Sequence, residues 1–211
     1  MSTIKKIEEL KLIPVAVVEK LENAFKLGNT LLKAGLPIVE VTFRTEYALD
    51  SLKILKSNFP NMLVGAGTVL KIEQVKTAAN AGVDFIVSPG FNPKVVDYCL
   101  ENKILIIPGV NTPTMVEWAL EKGLNVVKFF PANISGGIEM LKALYGPYPE
   151  MRFIPTGGIN DENIITYLKL KNVVACGGSW IVKKDLVNLG KFETISRLVT
   201  NTISLINSEI K

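Results

Sequence analysis

Eight short, almost wholly apolar runs alternate with longer stretches in which apolar residues recur every three or four positions, from one end of the chain to the other. This alternation limits the fold sharply. Runs with no polar face suit strands covered on both sides, and the stretches between them are long enough and amphipathic enough to be the covering helices. Parallel strands also need crossovers of about that length, so the pattern predicts an α/β fold with a parallel sheet. Strands are expected at residues 13–17, 38–42, 63–66, 85–87, 104–107, 126–128, 153–155 and 173–175. Helices are expected at 21–34, 47–58, 72–81, 93–101, 114–122, 138–145, 162–170 and 192–206. Gly35, Gly82 and Gly123 follow helical stretches and fit C-terminal caps, which favour a left-handed backbone.

Eight such units predict a closed (β/α)8 TIM barrel in preference to an open, doubly wound sheet. The placement of polar residues points the same way, since barrel chemistry gathers where strands end and βα loops begin. Glu40/Thr42/Arg44, Gly65 to Thr68, Ser88-Pro89-Gly90, Pro108-Gly109, Lys128, Thr156-Gly157-Gly158 and Gly177-Gly178-Ser179 all stand at those points. The chain of 211 residues is near the lower size for such a barrel, and no linker or composition break divides it. One domain, residues 1–211, is expected.

Composition narrows the chemistry. The net charge of +4 comes from 24 basic and 20 acidic residues spread along the chain, without the basic block of a nucleic-acid binder. No apolar run reaches the roughly 20 residues of a membrane helix, and the polar start Met1-Ser2-Thr3-Ile4-Lys5-Lys6 is unlike a signal peptide. A cytoplasmic protein acting on a small molecule is expected, with neither nucleic acid nor membrane as partner. Cys99 and Cys176 lack CxxC spacing and read as buried hydrophobes, and Trp118 and Trp180 read as core residues. Histidine is absent, which removes the commonest general base and the commonest zinc ligand. No metal and no cofactor are expected, and acid-base steps fall to Glu, Asp, Lys, Tyr or a bound water.

Lys128 closes the apolar run Val126-Val127 and precedes Phe129-Phe130-Pro131. An ammonium with little water around it is disfavoured relative to the neutral amine, whose lone pair can attack a ketone. The plainer alternative is a lysine that snorkels to solvent or pairs with a carboxylate. Glu40 and Thr42 alternate with Val39, Val41 and Phe43, so they share one side of a straight strand, and Arg44 has the same parity at its end. That side could be a barrel interior, with Arg44 offering its planar fork to a substrate carboxylate, or the pair Glu40-Arg44 could be a surface salt bridge. Gly157-Gly158 and Gly177-Gly178 read as glycine-rich turns after the last two strands, where backbone amides commonly seat a phosphate, though either could be only a tight turn. Thr68 is either a hydroxyl contact to substrate or the N-cap of the helix that starts near Lys71. A phosphate-binding isomerase or epimerase, or a non-catalytic binding barrel, remains an alternative at this level.

The segments VEVTFRTEYA, VGAGTVL, VSPGFNPKV, IPGVNTP, VKFFPA, GPYP, PTGGI and CGGSW, in order across residues 13–180, resemble the 2-keto-3-deoxy-6-phosphogluconate (KDPG) aldolase family. Members of that family often also cleave 4-hydroxy-2-oxoglutarate (KHG). The resemblance implies a class I, metal-independent aldolase on a (β/α)8 barrel, usually a homotrimer, acting on a 2-keto acid and a phosphorylated aldehyde. It implies Lys128 as the Schiff-base residue and Glu40 as the general base. It further implies that Arg44 and Thr68 hold the pyruvyl carboxylate and that Pro89, Phe130 and Thr156 shape the pocket. Gly157, Gly158, Gly178 and Ser179 would carry the phosphate. One departure stands out: some relatives have an arginine near the end of the first strand, where this chain reads Pro14-Val15-Ala16-Val17-Val18. That leaves phosphate affinity to backbone amides, the Ser179 hydroxyl or more distant lysines, and adds weight to an unphosphorylated substrate such as KHG.

Overall fold

The apolar runs form parallel strands because each has helices to cover it. A computed structural model describes residues 2–210. Its strands are β1 (Leu12–Ala16), β2 (Ile38–Thr42), β3 (Leu63–Gly67), β4 (Phe85–Val87), β5 (Ile106–Ile107), β6 (Gly109–Val110), β7 (Val126–Phe129), β8 (Arg152–Pro155) and β9 (Cys176–Gly178). The helices are α1 (Thr3–Leu10), α2 (Glu22–Lys33), α3 (Ala48–Asn58), α4 (Ile72–Asn80), α5 (Pro93–Glu101), α6 (Pro113–Glu121), α7 (Gly137–Tyr145), α8 (Ile164–Leu168), α9 (Lys184–Asn188) and α10 (Phe192–Glu209). Short 3-10 turns at Asn133–Ser135 and Trp180–Val182 follow β7 and β9.

The sheet has two segments, one ordered β5-β4-β3-β2-β1-β9 and one ordered β6-β7-β8, with every ladder parallel. Ladder pairing is interrupted at both junctions. Between β5 and β6 stands Pro108, which has no N–H for a ladder, although its carbonyl accepts the Lys128 N–H at 2.9 Å. Near β8 and β9 only the isolated bridges Phe153↔Val173 and Thr156↔Gly177 join the segments. The sheet is nonetheless curled, because Glu40 on β2 and Lys128 on β7, from different segments, face each other across its interior. A continuous apolar core runs from Ile7 to Ile206.

Most of the expected order is present, with instructive departures. The last strand lies at Cys176–Gly178, three residues beyond its expected place, because its ladder to β1 pairs Leu12 with Cys176 and Pro14 with Gly178. Gly177-Gly178 is therefore strand rather than the turn its composition suggested. Helix α1 and the short α9 have no counterpart among the expected helices. Ser2 caps α1 by accepting from the Lys5 N–H, and Glu8 on α1 pairs with Arg152 at the start of β8. Gly35, Gly82 and Gly123 adopt φ of 82°, 78° and 73°, as expected of C-terminal caps. Asp84 ties β3 to α3 and β4, accepting from the Val64 N–H and from Lys56, each at 2.8 Å.

Among the described residues no helix is long and apolar enough to cross a membrane, and no group of three or more His, Cys, Asp or Glu side chains could hold a metal ion. Trp118 is not core: it is 44% exposed and packs beside Phe91, whereas Trp180 is half-buried against the core. Both cysteines are buried, and burial pushes the Cys99 thiol up to about 11 and the Cys176 thiol higher still. The thiolate is the reactive form, so neither residue should react with iodoacetamide at pH 8 in the native protein, and both should react after denaturation. Mass spectrometry of the alkylated protein checks this; rapid native labelling of either cysteine would contradict the burial.

Candidate active site

Alternation along β2 turns Ile38, Glu40 and Thr42 to the opposite face from Val39 and Val41. Glu40 thereby enters the interior of the curled sheet, where an isolated carboxylate would be very costly. Lys128 on β7 supplies the opposite charge: its Nζ lies 3.5 Å from Glu40 Oε1, with the two side chains only 8% and 4% exposed. Lys128 thus pairs with a carboxylate in the interior, and the surface pairing of Glu40 with Arg44 does not occur. Glu40 Oε1 forms no hydrogen bond to any group among the described residues, so the pair is held by charge and leaves an acceptor free. Lys128 Nζ also sits 5.1 Å from the centre of the Phe130 ring, within cation-π range. Beneath the pair, Ile13, Val87, Ile107 and Ile154 form an apolar floor.

Gly67, the last residue of β3, makes this arrangement possible. A Cβ at Gly67 would overlap the Glu40 carboxylate, so the hydrogen atom there is the space the carboxylate occupies. The two glycines of β3 differ in what they accommodate: Gly65 packs on the Phe85 ring, whereas Gly67 serves a charged group.

Above the pair opens a cavity of about 290 Å³. Glu40, Lys128, Arg44, Thr68, Pro89, Phe130, Thr156, Gly157, Gly158, Gly178 and Ser179 all line it, so the structure brings every predicted site residue together. Val15, Thr42 and Ile159 line it too. Parity along β2 had already put Thr42 on the correct side, but Val15 and Ile159 have apolar side chains that carry no chemical mark, the first in an apolar strand and the second just after the Gly157-Gly158 turn.

The cavity has two chemically different ends. Arg44 stands at one, just beyond β2, exposed at the rim, with its Nε donating to Thr42 Oγ1 at 3.1 Å. It does not pair with Glu40. Thr68 joins it with φ of 56°, a left-handed conformation that costs a β-branched residue energy and is found mostly where function repays it. Thr68 does not cap α4: Gln74 Oε1 accepts from the Leu70 and Lys71 N–H groups, and Lys71 is the N-cap. The other end is formed by Val15, Gly157, Gly158, Ile159, Gly178 and Ser179, none of which carries a charge. Gly157 and Gly158 have φ of 96° and 83°, and a Cβ at Gly158 would strike Asn133. At Gly177 a side chain would meet Thr156, and at Gly178 the Trp180 ring, so glycine here allows strand β9 to approach the cavity wall.

Replacing Gly67 by alanine should therefore drive the Glu40 carboxylate off its present position. A loss of about 1–3 kcal/mol in denaturant unfolding is expected for an overpacked core site, together with a Lys128–Glu40 separation well beyond 3.5 Å in a crystal structure of the variant. An undisturbed separation would show that Gly67 does not set it.

The comparisons with known proteins point to a single family. Residues 3–198 match the family model described as KDPG and KHG aldolase. The chain is 48% identical over 203 residues to the 2-dehydro-3-deoxy-phosphogluconate aldolase of Haemophilus influenzae, covering 96% of each chain. It is 39% identical over 191 residues to the KHG/KDPG aldolase of Escherichia coli K12, covering 90% of each. Among solved structures, the KDPG aldolase of Legionella pneumophila, with pyruvate captured at low pH as a covalent carbinolamine intermediate, superposes with a TM-score of 0.92 at 38% identity. That match covers 95% of this chain and 98% of the Legionella chain.

Proposed function

The chain belongs to the KDPG and KHG aldolase family, whose members are carbon-carbon lyases, and on that premise we propose that it is a class I aldolase with Lys128 as its Schiff-base residue. Its substrates are 2-dehydro-3-deoxy-6-phosphogluconate, cleaved reversibly to pyruvate and glyceraldehyde 3-phosphate, and 4-hydroxy-2-oxoglutarate, cleaved to pyruvate and glyoxylate. The single observation that carries this reading is the buried Lys128 Nζ, 3.5 Å from Glu40 Oε1 on the floor of a cavity with an arginine at its rim. Covalent pyruvate in the Legionella relative supports the same chemistry.

In this reading Glu40 takes one proton from the Lys128 ammonium it pairs with, the freed amine attacks the C2 ketone, and a second nitrogen proton passes to the new alkoxide to give the carbinolamine. The carbinolamine loses water as Glu40, directly or through a water, gives its proton to the leaving hydroxyl. Glu40 then accepts the C4 hydroxyl proton while the C3–C4 bond breaks and its electrons enter the iminium, leaving the enamine of pyruvate. The aldehyde departs, C3 is protonated, and hydrolysis frees the lysine. Arg44 and Thr68 hold the pyruvyl carboxylate, Pro89, Phe130 and Thr156 shape the pocket, and Gly157, Gly158, Gly178 and Ser179 receive the phosphate. With no cation among the residues lining that end, backbone amides and one hydroxyl carry the phosphate, which suits use of the unphosphorylated KHG as well.

The same reading takes the curled sheet as a closed (β/α)8 barrel forming one catalytic domain. Support comes from β5 and β6 being separated by Pro108 alone and from the bridges that flank β8 and β9. A cytoplasmic homotrimer is part of it, supported by the family resemblance.

Sodium borohydride added with pyruvate should inactivate the enzyme irreversibly and add the mass of a reduced pyruvyl group to Lys128. Full activity and an unmodified lysine after that treatment would sink the assignment. Glu40→Gln should still be trapped by borohydride and pyruvate but turn over about 10²–10⁴-fold more slowly, the scale of a lost proton-transfer group. Steady-state kinetics near the wild-type rate would take Glu40 out of the mechanism.

A further inference from the structure

We infer that Thr42 is a positioning residue that sets the Arg44 guanidinium for the substrate carboxylate, an inference that rests on the role proposed above for Arg44. Thr42 is buried on the cavity-facing side of β2, between Glu40 and Arg44, and lines the cavity. Its hydroxyl makes two hydrogen bonds: Oγ1 donates to the Ala16 carbonyl at the end of β1, at 3.2 Å, and accepts from Arg44 Nε at 3.1 Å.

The directions of both bonds are forced. A threonine hydroxyl has one proton, the Ala16 carbonyl can only accept, and a guanidinium Nε–H can only donate. The proton therefore goes to Ala16 and a lone pair faces Arg44. Ala16 lies in a ladder, its Cα beside that of Val41, so the hydroxyl is referenced to the sheet and not to a loop.

Arg44 needs such a reference. It lies beyond the last residue of β2, is exposed at the cavity rim, and among the described residues makes no ion pair and no side-chain hydrogen bond except to Thr42. A long side chain in that position would otherwise sample many rotamers. Tying Nε restrains the plane of the guanidinium while leaving its two terminal nitrogens free, and those present the parallel donors that match a carboxylate. A valine in place of Thr42 would keep the branched shape that suits the strand and remove only this link.

The test combines Thr42→Val, Thr42→Ser, Arg44→Ala and the double variant Thr42→Val/Arg44→Ala. The readout is the pyruvate concentration giving half-maximal borohydride trapping of Lys128, with thermal unfolding as a control on folding. Thr42→Val should raise that concentration about tenfold, the effect of losing one hydrogen bond to a charged group. Thr42→Ser, which keeps the hydroxyl, should remain close to wild type. In the Arg44→Ala background Thr42→Val should add nothing, because a residue acting through Arg44 has nothing left to position.

An unchanged half-saturation in Thr42→Val, or a full effect in the Arg44→Ala background, overturns the inference. If Arg44→Ala itself binds pyruvate normally, the carboxylate role of Arg44 fails and the role of Thr42 with it. A rise with Arg44→Ala but not with Thr42→Val removes only the present inference. Should Thr42→Val fail to fold, Thr42→Ala carries the same expectation.

Discussion

A lysine and a glutamate placed together in the buried interior of a parallel sheet set the terms for the rest of this molecule. Either charge alone would be prohibitively costly there, and removing one partner of such a pair typically costs about 3–5 kcal/mol. Their mutual attraction offsets much of that cost only if the strands bearing them face each other, which requires the sheet to curl until β2 and β7 are opposed. Curling in turn gathers the ends of the other strands around a single cavity. The pair also lacks the hydrogen bond that would complete it, since Glu40 Oε1 has no such partner among the described residues.

Small residues do for this site what large ones do for the core. Gly67 yields its side-chain volume to the Glu40 carboxylate, and Gly177 and Gly178 yield theirs to Thr156 and Trp180. In each case the functional or packing group belongs to another strand or to a later turn, so the glycine is explained only by its neighbour. Thr68 shows the converse: a β-branched residue on the cavity wall holds φ of 56° with no cap to form, the kind of backbone strain that clusters at ligand sites.

Much of the fold was legible because hydrophobic period depends on which faces are covered, and that pattern is written into each segment by itself. The β2 pattern, with Glu40 and Thr42 among valines, put both side chains on the correct side through parity alone. The misplacement of the last strand has a different origin. Cys176-Gly177-Gly178 looks like a turn locally, since glycine favours turns in general, but its pairing with β1 makes it a strand. Trp118 was misjudged for a related reason: size and apolarity favour burial, yet its position on α6 leaves it exposed beside Phe91. Val15 and Ile159 carry no chemical mark at all, and only proximity shows that they line the cavity.

The amino-acid sequence by itself determined the alternation of strands and helices and the absence of imidazole chemistry, and it singled out Lys128 and Glu40 as candidates for imine chemistry on a ketone. These follow from side-chain type and from spacing along the chain, which are local properties. Tertiary structure alone decided that Glu40 pairs with Lys128 and not with Arg44, that Arg44 is instead held by Thr42, and that Gly67 leaves room for a carboxylate. Each of these is a contact between groups far apart in sequence or turned by the backbone beyond a strand's end. Electrostatic attraction and steric exclusion act through distance in space, which no spacing along the chain specifies.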